Sequence, residues 1–217
     1  MYDILVSSSD NYEDCWELFF KLKDKYWSCS NDTYLLTETK KCQYAETINV
    51  NEPCWTKRLR EALKLLKNDY VILMLEDFFI RDLVNQERIQ YCLEHFDKDT
   101  AVFNFELKYR DAIPCDLQGF ELQKNNQMYL CSCMPSLWDR EKLIWLLRED
   151  MTPWEWEMQN LNSGYKFYIN SEDIIIDIGY YKGNIFAIRQ GHWVKEDMEN
   201  LLKKENFYID LTKRGVI

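Results

Sequence analysis

Glycine and proline are scarce in this chain, at 6 and 4 of 217 residues. No Pro/Gly-rich stretch marks a domain boundary, and no repeat or low-complexity segment is present. No glycine-rich phosphate loop follows the first apolar run, which excludes the Walker-type and dinucleotide fingerprints. Histidine is almost absent, with only His95 and His192, and none of the eight cysteines is paired at C-x-x-C spacing, so zinc-site spacing is missing. Several cysteines occupy apolar periodic positions, where a free thiol behaves as a small hydrophobe, and the expected compartment is a reducing cytoplasm. Cations are outnumbered, 27 Lys and Arg against 37 Asp and Glu, for a formal charge of −10. That balance disfavours nucleic acid as a partner. No apolar run reaches the length of a membrane span, and Met1 leads straight into a strand, without signal-peptide character.

What is present is a hydrophobic fraction of 47% with 15% aromatics, the mark of a packed globule. The organising stretch is Tyr70–Phe79, YVILMLEDFF. Its first six residues read as a buried strand, and Glu76 and Asp77 follow at the carboxyl end. Ligands of open α/β sheets bind outside that end, and an acidic pair there can hold a divalent cation, and through it a phosphate. A plainer role, capping the next helix, is equally open.

Upstream, residues 3–9 (DILVSSS) read as a strand, with Asp10 and Asn11 as N-caps for a helix over Tyr12–Tyr26. Ser7, Ser8 and Asp10 then fall at the carboxyl edge. Tyr34–Thr37 reads as a second strand, and residues 40–51 show no period and are expected as loop. A helix follows, with Trp55, Leu59, Ala62, Leu63 and Leu66 on one stripe. Its Lys57, Arg58 and Arg60 are expected either as a solvated face or leaning towards a diphosphate.

Downstream, the pattern predicts a helix over 82–96, strands at 100–107 and 128–133, and a helix over Arg140–Arg148 entered through Ser136 and Asp139. Strands are also expected at Tyr165–Ile169, Ile174–Ile178 and Ile185–Ile188, and a last helix at Val194–Asn206. In TPWEWE (152–157), Thr152 is an N-cap, Pro153 suits the first helical position, and Glu155 completes a capping box. Glu157 has no such task. Two residues apart point about 200° away from each other on a helix, so a catalytic base here is expected to be Glu157. One domain, residues 1–217, is expected, of α/β class with a mixed, mostly parallel sheet flanked by helices.

Taken together, VSSSDNYEDCW (6–16), WTKRLREALKLLKNDYVILMLEDFF (55–79), PSLWDREKLIWLLR (135–148) and TPWEWE (152–157) resemble bacterial GT-A-like sugar transferases of capsule, exopolysaccharide and lipopolysaccharide clusters. The helix–strand–acidic piece is also similar to family 2 glycosyltransferases. The resemblance implies a Rossmann-like GT-A fold and a UDP- or GDP-sugar donor. It also implies a glycan or lipid-linked acceptor and a divalent cation, Mn²⁺ or Mg²⁺. Glu76 and Asp77 take the place of the acidic metal and nucleotide-sugar motif, although the second aspartate of an Asp-x-Asp is missing. Ser7, Ser8, Asp10, Thr37 and Glu38 would lie by the nucleoside, with Arg58 and Arg60 aiding the diphosphate.

TPWEWE stands where inverting enzymes draw their base, which makes Glu157, or else Glu155, catalytic. His192 would fall at a C-terminal metal ligand; a turn histidine packed beside Trp193 is the plain alternative. Trp138, Trp154 and Trp156 are candidates for stacking on an acceptor sugar, or are core. Lys203, Lys204, Lys213 and Arg214 are the residues expected at an anionic bilayer if the protein is peripheral on the inner face of a membrane. Against inverting glycosyl transfer stand a non-catalytic nucleotide- or partner-binding protein, motivated by the altered acidic motif, and a nucleotidyltransferase, disfavoured by the missing phosphate loop.

Overall fold

A computed structural model of the chain describes residues 1–107, 111–179 and 187–217. The first half runs β1 (Tyr2–Ser7), α1 (Glu13–Tyr26), β2 (Thr33–Thr37), β3 (Glu46–Asn49), α2 (Trp55–Leu63) and β4 (Tyr70–Leu75), as expected apart from β3. There follow α3 (Gln86–Glu94), β5 (Thr100–Leu107), β6 (Ala112–Pro114), β7 (Phe120–Gln123), β8 (Ser136–Asp139), α4 (Arg140–Leu146), α5 (Pro153–Met158) and β9 (Lys166–Asn170). A short hairpin, β10 (Ile188–Arg189) with β11 (His192–Trp193), leads into α6 (Lys195–Glu205).

Nine strands form one sheet in the order β3-β2-β1-β4-β8-β5-β9-β7-β6. β1 is parallel to both neighbours, with Ser7 opposite Leu36 on one side and Leu75 on the other. β8 runs antiparallel between β4 and β5, and β7 is antiparallel to both β9 and β6. The other seven strands therefore share one direction. This is the expected mixed, mostly parallel α/β sheet.

The period of two along each strand divides the core between its faces. Ile4, Val6, Ile72 and Met74 meet Trp16, Phe19 and Leu22 of α1, on the face that also buries Ile89 of α3 and Met198 of α6. Leu5, Val71 and Leu73 meet Trp55, Leu59 and Leu63 of α2, joined by Leu143 of α4 and Trp156 of α5. Leu59 and Leu63 are fully buried. Each such side chain stabilises the fold by roughly 1.5–3 kcal/mol relative to exposure.

Several boundaries depart from the sequence pattern. The expected loop 40–51 contains β3, an edge strand that buries only Ile48 and is held by its backbone pairing to β2. Its side chains carry no apolar period because they face little core. Residues 128–133 are turns rather than a strand: Tyr129 has φ +62°, and its N–H donates to the Glu157 carbonyl at 2.6 Å. The strand begins instead at Ser136, and Asp139 alone caps α4, accepting from Lys142 N–H at 3.0 Å. Residues 174–178 are also not a strand, since their carbonyls serve the 81–85 segment: Arg81 N–H donates to Asp177 O and Asn85 N–H to Ile175 O. Consequently α3 starts at Gln86 rather than Asp82, with Asn85 as its side-chain cap. In the expected strand 185–188, residues 185 and 186 lie outside the described residues. Asp10 forms a one-turn 3-10 helix with Asn11 and Tyr12 and does not cap α1.

Candidate active site

The sheet order reverses between β1 and β4. From β1 the chain steps outward to β2 and β3, then returns through α2 to the other flank of β1. The helices that leave and enter these strands lie on opposite faces, which opens a crevice at their carboxyl ends. A cavity of about 510 Å³ occupies it. Its walls are Ser7–Ser9 and Tyr12, then Leu75–Asp77, the entry to α2 (Pro53–Trp55 and Arg58), and Asp150–Pro153 with Glu155.

Glu76 and Asp77 therefore stand where the apolar run of β4 delivers them. Glu76 is 5% exposed. Asp77 is half-buried, and its Oδ1 is buried with no hydrogen-bond partner among the described residues. Burial pushes the Glu76 carboxyl well up, and the neighbouring Asp77 charge adds to it. Burial likewise raises Asp77 to about 6, against a smaller opposing pull from its own backbone N–H and Arg214. The pair is short of positive charge. Two carboxylates suit a small hard cation that keeps several waters and takes its other ligands from phosphate. Among the described residues no three metal-ligating side chains converge. The orphaned Asp77 oxygen fits such an ion, and His192 does not join it: its Nδ1 is bonded to Arg214 O at 2.8 Å, in the β10–β11 hairpin, outside the cavity lining.

The nucleoside-side candidates hold one another. Trp55 Nε1–H donates to Ser7 Oγ at 3.0 Å, and Trp16 Nε1–H to Ser8 Oγ at 2.8 Å. Arg58 lines the cavity, ion-paired to Glu38, which also accepts the Asp10 N–H at 2.6 Å. The Asp10 carboxylate accepts from Thr39 and Lys40 N–H; burial opposes its ionisation, but these bonds and the Thr39 hydroxyl outweigh it and hold its pKa low. Thr37 is buried and donates its hydroxyl to Lys40 O at 2.8 Å. Asp10, Thr37 and Glu38 thus brace the rim from behind and do not line the cavity. Arg60 is not brought in, because its guanidinium donates to Leu147 O at 3.2 Å, at the end of α4.

The α5 acids divide in an unexpected way. Glu155 completes the capping box, its Oε2 accepting from Thr152 N–H at 2.8 Å, and it also lines the cavity. Glu157, expected to face the pocket, instead accepts the Cys133 N–H at 2.7 Å and is absent from the lining. Trp138 is fully buried between Trp156 and Phe167, so it is core and no acceptor platform. Trp156 is buried too, whereas Trp154 is 69% exposed.

Two residues at this site escaped the sequence pattern. Tyr12 lines the cavity, and Arg214 packs over its ring at 4.3 Å. Arg214, expected at a bilayer, is ion-paired with Asp14 and sends its field to Glu76 and Asp77. The basic residues near the end of the chain, Lys203, Lys204, Lys213 and Arg214, were the available signal, and they pointed elsewhere.

No protein-family model matches the chain, and no curated protein does. Among solved structures, the chain is similar to the bifunctional IspDF of Campylobacter jejuni, with 14% identity, 68% of this chain and 43% of that one covered, and a TM-score of 0.42. It is similar to TarS of S. aureus at 11% identity over 79% of this chain and 36% of that one, with a TM-score of 0.45. For a nucleotidyl transferase from Methanothermobacter thermautotroptrophicus the figures are 15%, 79% and 88%, with a TM-score of 0.49. The chain spans less than half the length of the first two. At such identities and scores the likeness reaches no further than the general course of the chain.

Proposed function

We propose that this protein transfers a sugar from a nucleoside-diphosphate donor to a glycan or lipid-linked acceptor in surface-polysaccharide synthesis, with inversion at the anomeric carbon. One observation carries the reading: the cation-poor pair of buried Glu76 and half-buried Asp77 lining the β1/β4 crevice. Departure of a nucleoside diphosphate builds negative charge, and preorganised charges aimed at it stabilise the transition state. A divalent cation held by Asp77 and Glu76 would neutralise part of that charge when bound.

The chain's own groups do the rest. Ser7–Ser9 and Tyr12 form the wall against which the nucleoside lies. Arg58, fixed by Glu38, presents positive charge to the diphosphate. Of the two α5 carboxylates, Glu155 is the one at the cavity, and it is the better-placed acceptor for the proton of the incoming hydroxyl. Its hydrogen bonds from Thr152, backbone first and hydroxyl second, hold its pKa below the usual carboxylate value, so it is ionised as a base must be. Trp154 is exposed beside it for contact with an acceptor sugar.

The test is a thermal-shift screen with UDP- and GDP-sugars, with and without Mn²⁺, followed by donor turnover. Stabilisation by a nucleotide sugar with sugar transfer supports the reading. Binding with no turnover moves it to a non-catalytic nucleotide-binding protein, and no response to any donor overturns it.

A further inference from the structure

A second and larger cavity, about 930 Å³, lies across the Ser9–Asp14 segment from the first. Ser9 and Tyr12 face the smaller cavity, while Asp10, Asn11, Glu13 and Asp14 face the larger one. Its other walls are the 40–44 loop and the segment after α6, Phe207–Asp210 with Lys213 and Arg214. The volume lies within the range of sites that enclose organic ligands.

Its chemistry selects the occupant. Five carboxylates and four cationic side chains line it, so the signs nearly cancel. The main pairs are internal: Lys40 with Glu13, and Arg214 with Asp14. Neither a polyanion nor a polycation would find a complementary field there. A polyhydroxylated neutral ligand would, since each hydroxyl both donates and accepts and can serve carboxylate and ammonium alike. Apolar faces are supplied as well. Tyr208 is 82% exposed and Tyr44 37% exposed, on different lining segments, and solvent-facing tyrosine rings in a concave site offer flat surfaces to the C–H faces of sugar rings.

We propose that this groove holds a segment of a neutral glycan chain. The idea rests on the proposed sugar transfer only for its role: the acceptor is then a glycan polymer, gripped at a distance from the reacting hydroxyl while Glu155 and the acid pair act at its end.

The experiment titrates the whole protein with neutral hexasaccharides (gluco-, galacto-, manno- and N-acetylglucosamine series) by calorimetry at millimolar ligand. The variants are Tyr208→Ala and the double Tyr44→Ala/Tyr208→Ala. Both rings are exposed, so folding is not at stake, and thermal melting checks it. Binding of at least one series, weakened about tenfold or more in the double variant, supports the groove. No binding of any series overturns it, as does binding that both variants leave unchanged. Response to UDP-sugars is read on the same samples. Its absence with glycan binding intact sinks the transfer reading alone, and its presence without glycan binding sinks the groove alone.

Discussion

The Arg58 guanidinium at the cavity is ion-paired to Glu38 at the end of β2, and the Glu38 carboxylate also takes the Asp10 N–H. Arg58 is 7% exposed at its side chain and Glu38 24%. Removing one partner of such a pair strands the other, at a cost of about 3 kcal/mol or more. Glu38→Ala is expected to lower stability by that order in urea unfolding, with a matching loss of donor affinity as Arg58 is freed. Arg60→Ala, which loses bonds to the carbonyls of Leu147 and Arg148 and a loose pair with Glu61, should leave donor affinity unchanged. A donor response that follows Arg60 and ignores Glu38 would contradict this arrangement.

The acid pair makes a prediction with a definite sign. Burial raises Asp77 to about 6, above its unfolded value near 3.9. Between those values the folded state binds more protons than the unfolded one, so stability falls as pH rises through the window and stays reduced above it. Asp77→Asn removes that loss. It should melt higher than the parent at pH 8 and about equally at pH 3.5, below both values. Mn²⁺ should raise the melting temperature of the parent at pH 8 and not that of the variant. A variant less stable at pH 8 would show that Asp77 is not short of cation.

Legibility in the sequence followed burial. The runs that became β1 and β4 are covered on both faces, so their side chains are largely apolar and announced themselves, as did the acid pair at the end of β4. β3 is an edge, held by backbone pairing, and its ETIN sequence carries no pattern. Residues 128–133 and 174–178 are apolar because they pack, but their backbone groups bond to α5 and to the 81–85 segment, which no local pattern encodes. Within the site, Glu155 had a legible cap role. That the same cap sets it against the cavity depends on where α5 docks, through Trp156 against Trp55. Arg214 reaches Asp14 across 200 positions of chain, a pairing no spacing rule can find.

The two α5 acids separate by conservative substitution. Glu155→Gln keeps an amide oxygen for the Thr152 N–H, so the cap and the melting temperature should survive while transfer falls about 10²-fold or more. Glu157→Gln keeps an acceptor for the Cys133 N–H and should retain most turnover. The reverse outcome, transfer lost with Glu157→Gln and kept with Glu155→Gln, would return the base to Glu157. Steady-state kinetics on both variants decides it.

Trp138 and Trp154 provide the last contrast. Trp138 is fully buried at the meeting of β8, α5 and β9, against Trp156 at 5.8 Å and Phe167 at 6.4 Å between ring centroids. Emptying that volume should cost about 3–5 kcal/mol, so Trp138→Ala is expected to unfold at much lower denaturant, with any loss of transfer following loss of fold. Trp154 is exposed on α5, between Pro153 and Glu155, which line the cavity, and truncation there removes little buried area. Trp154→Ala should melt as the parent does, within about 0.5 kcal/mol, the range typical of surface changes. Its effect should fall on the acceptor, as a raised KM for acceptor with the KM for donor unchanged. An unchanged acceptor KM would leave Trp154 as a surface residue only and shift the search for the acceptor platform away from α5.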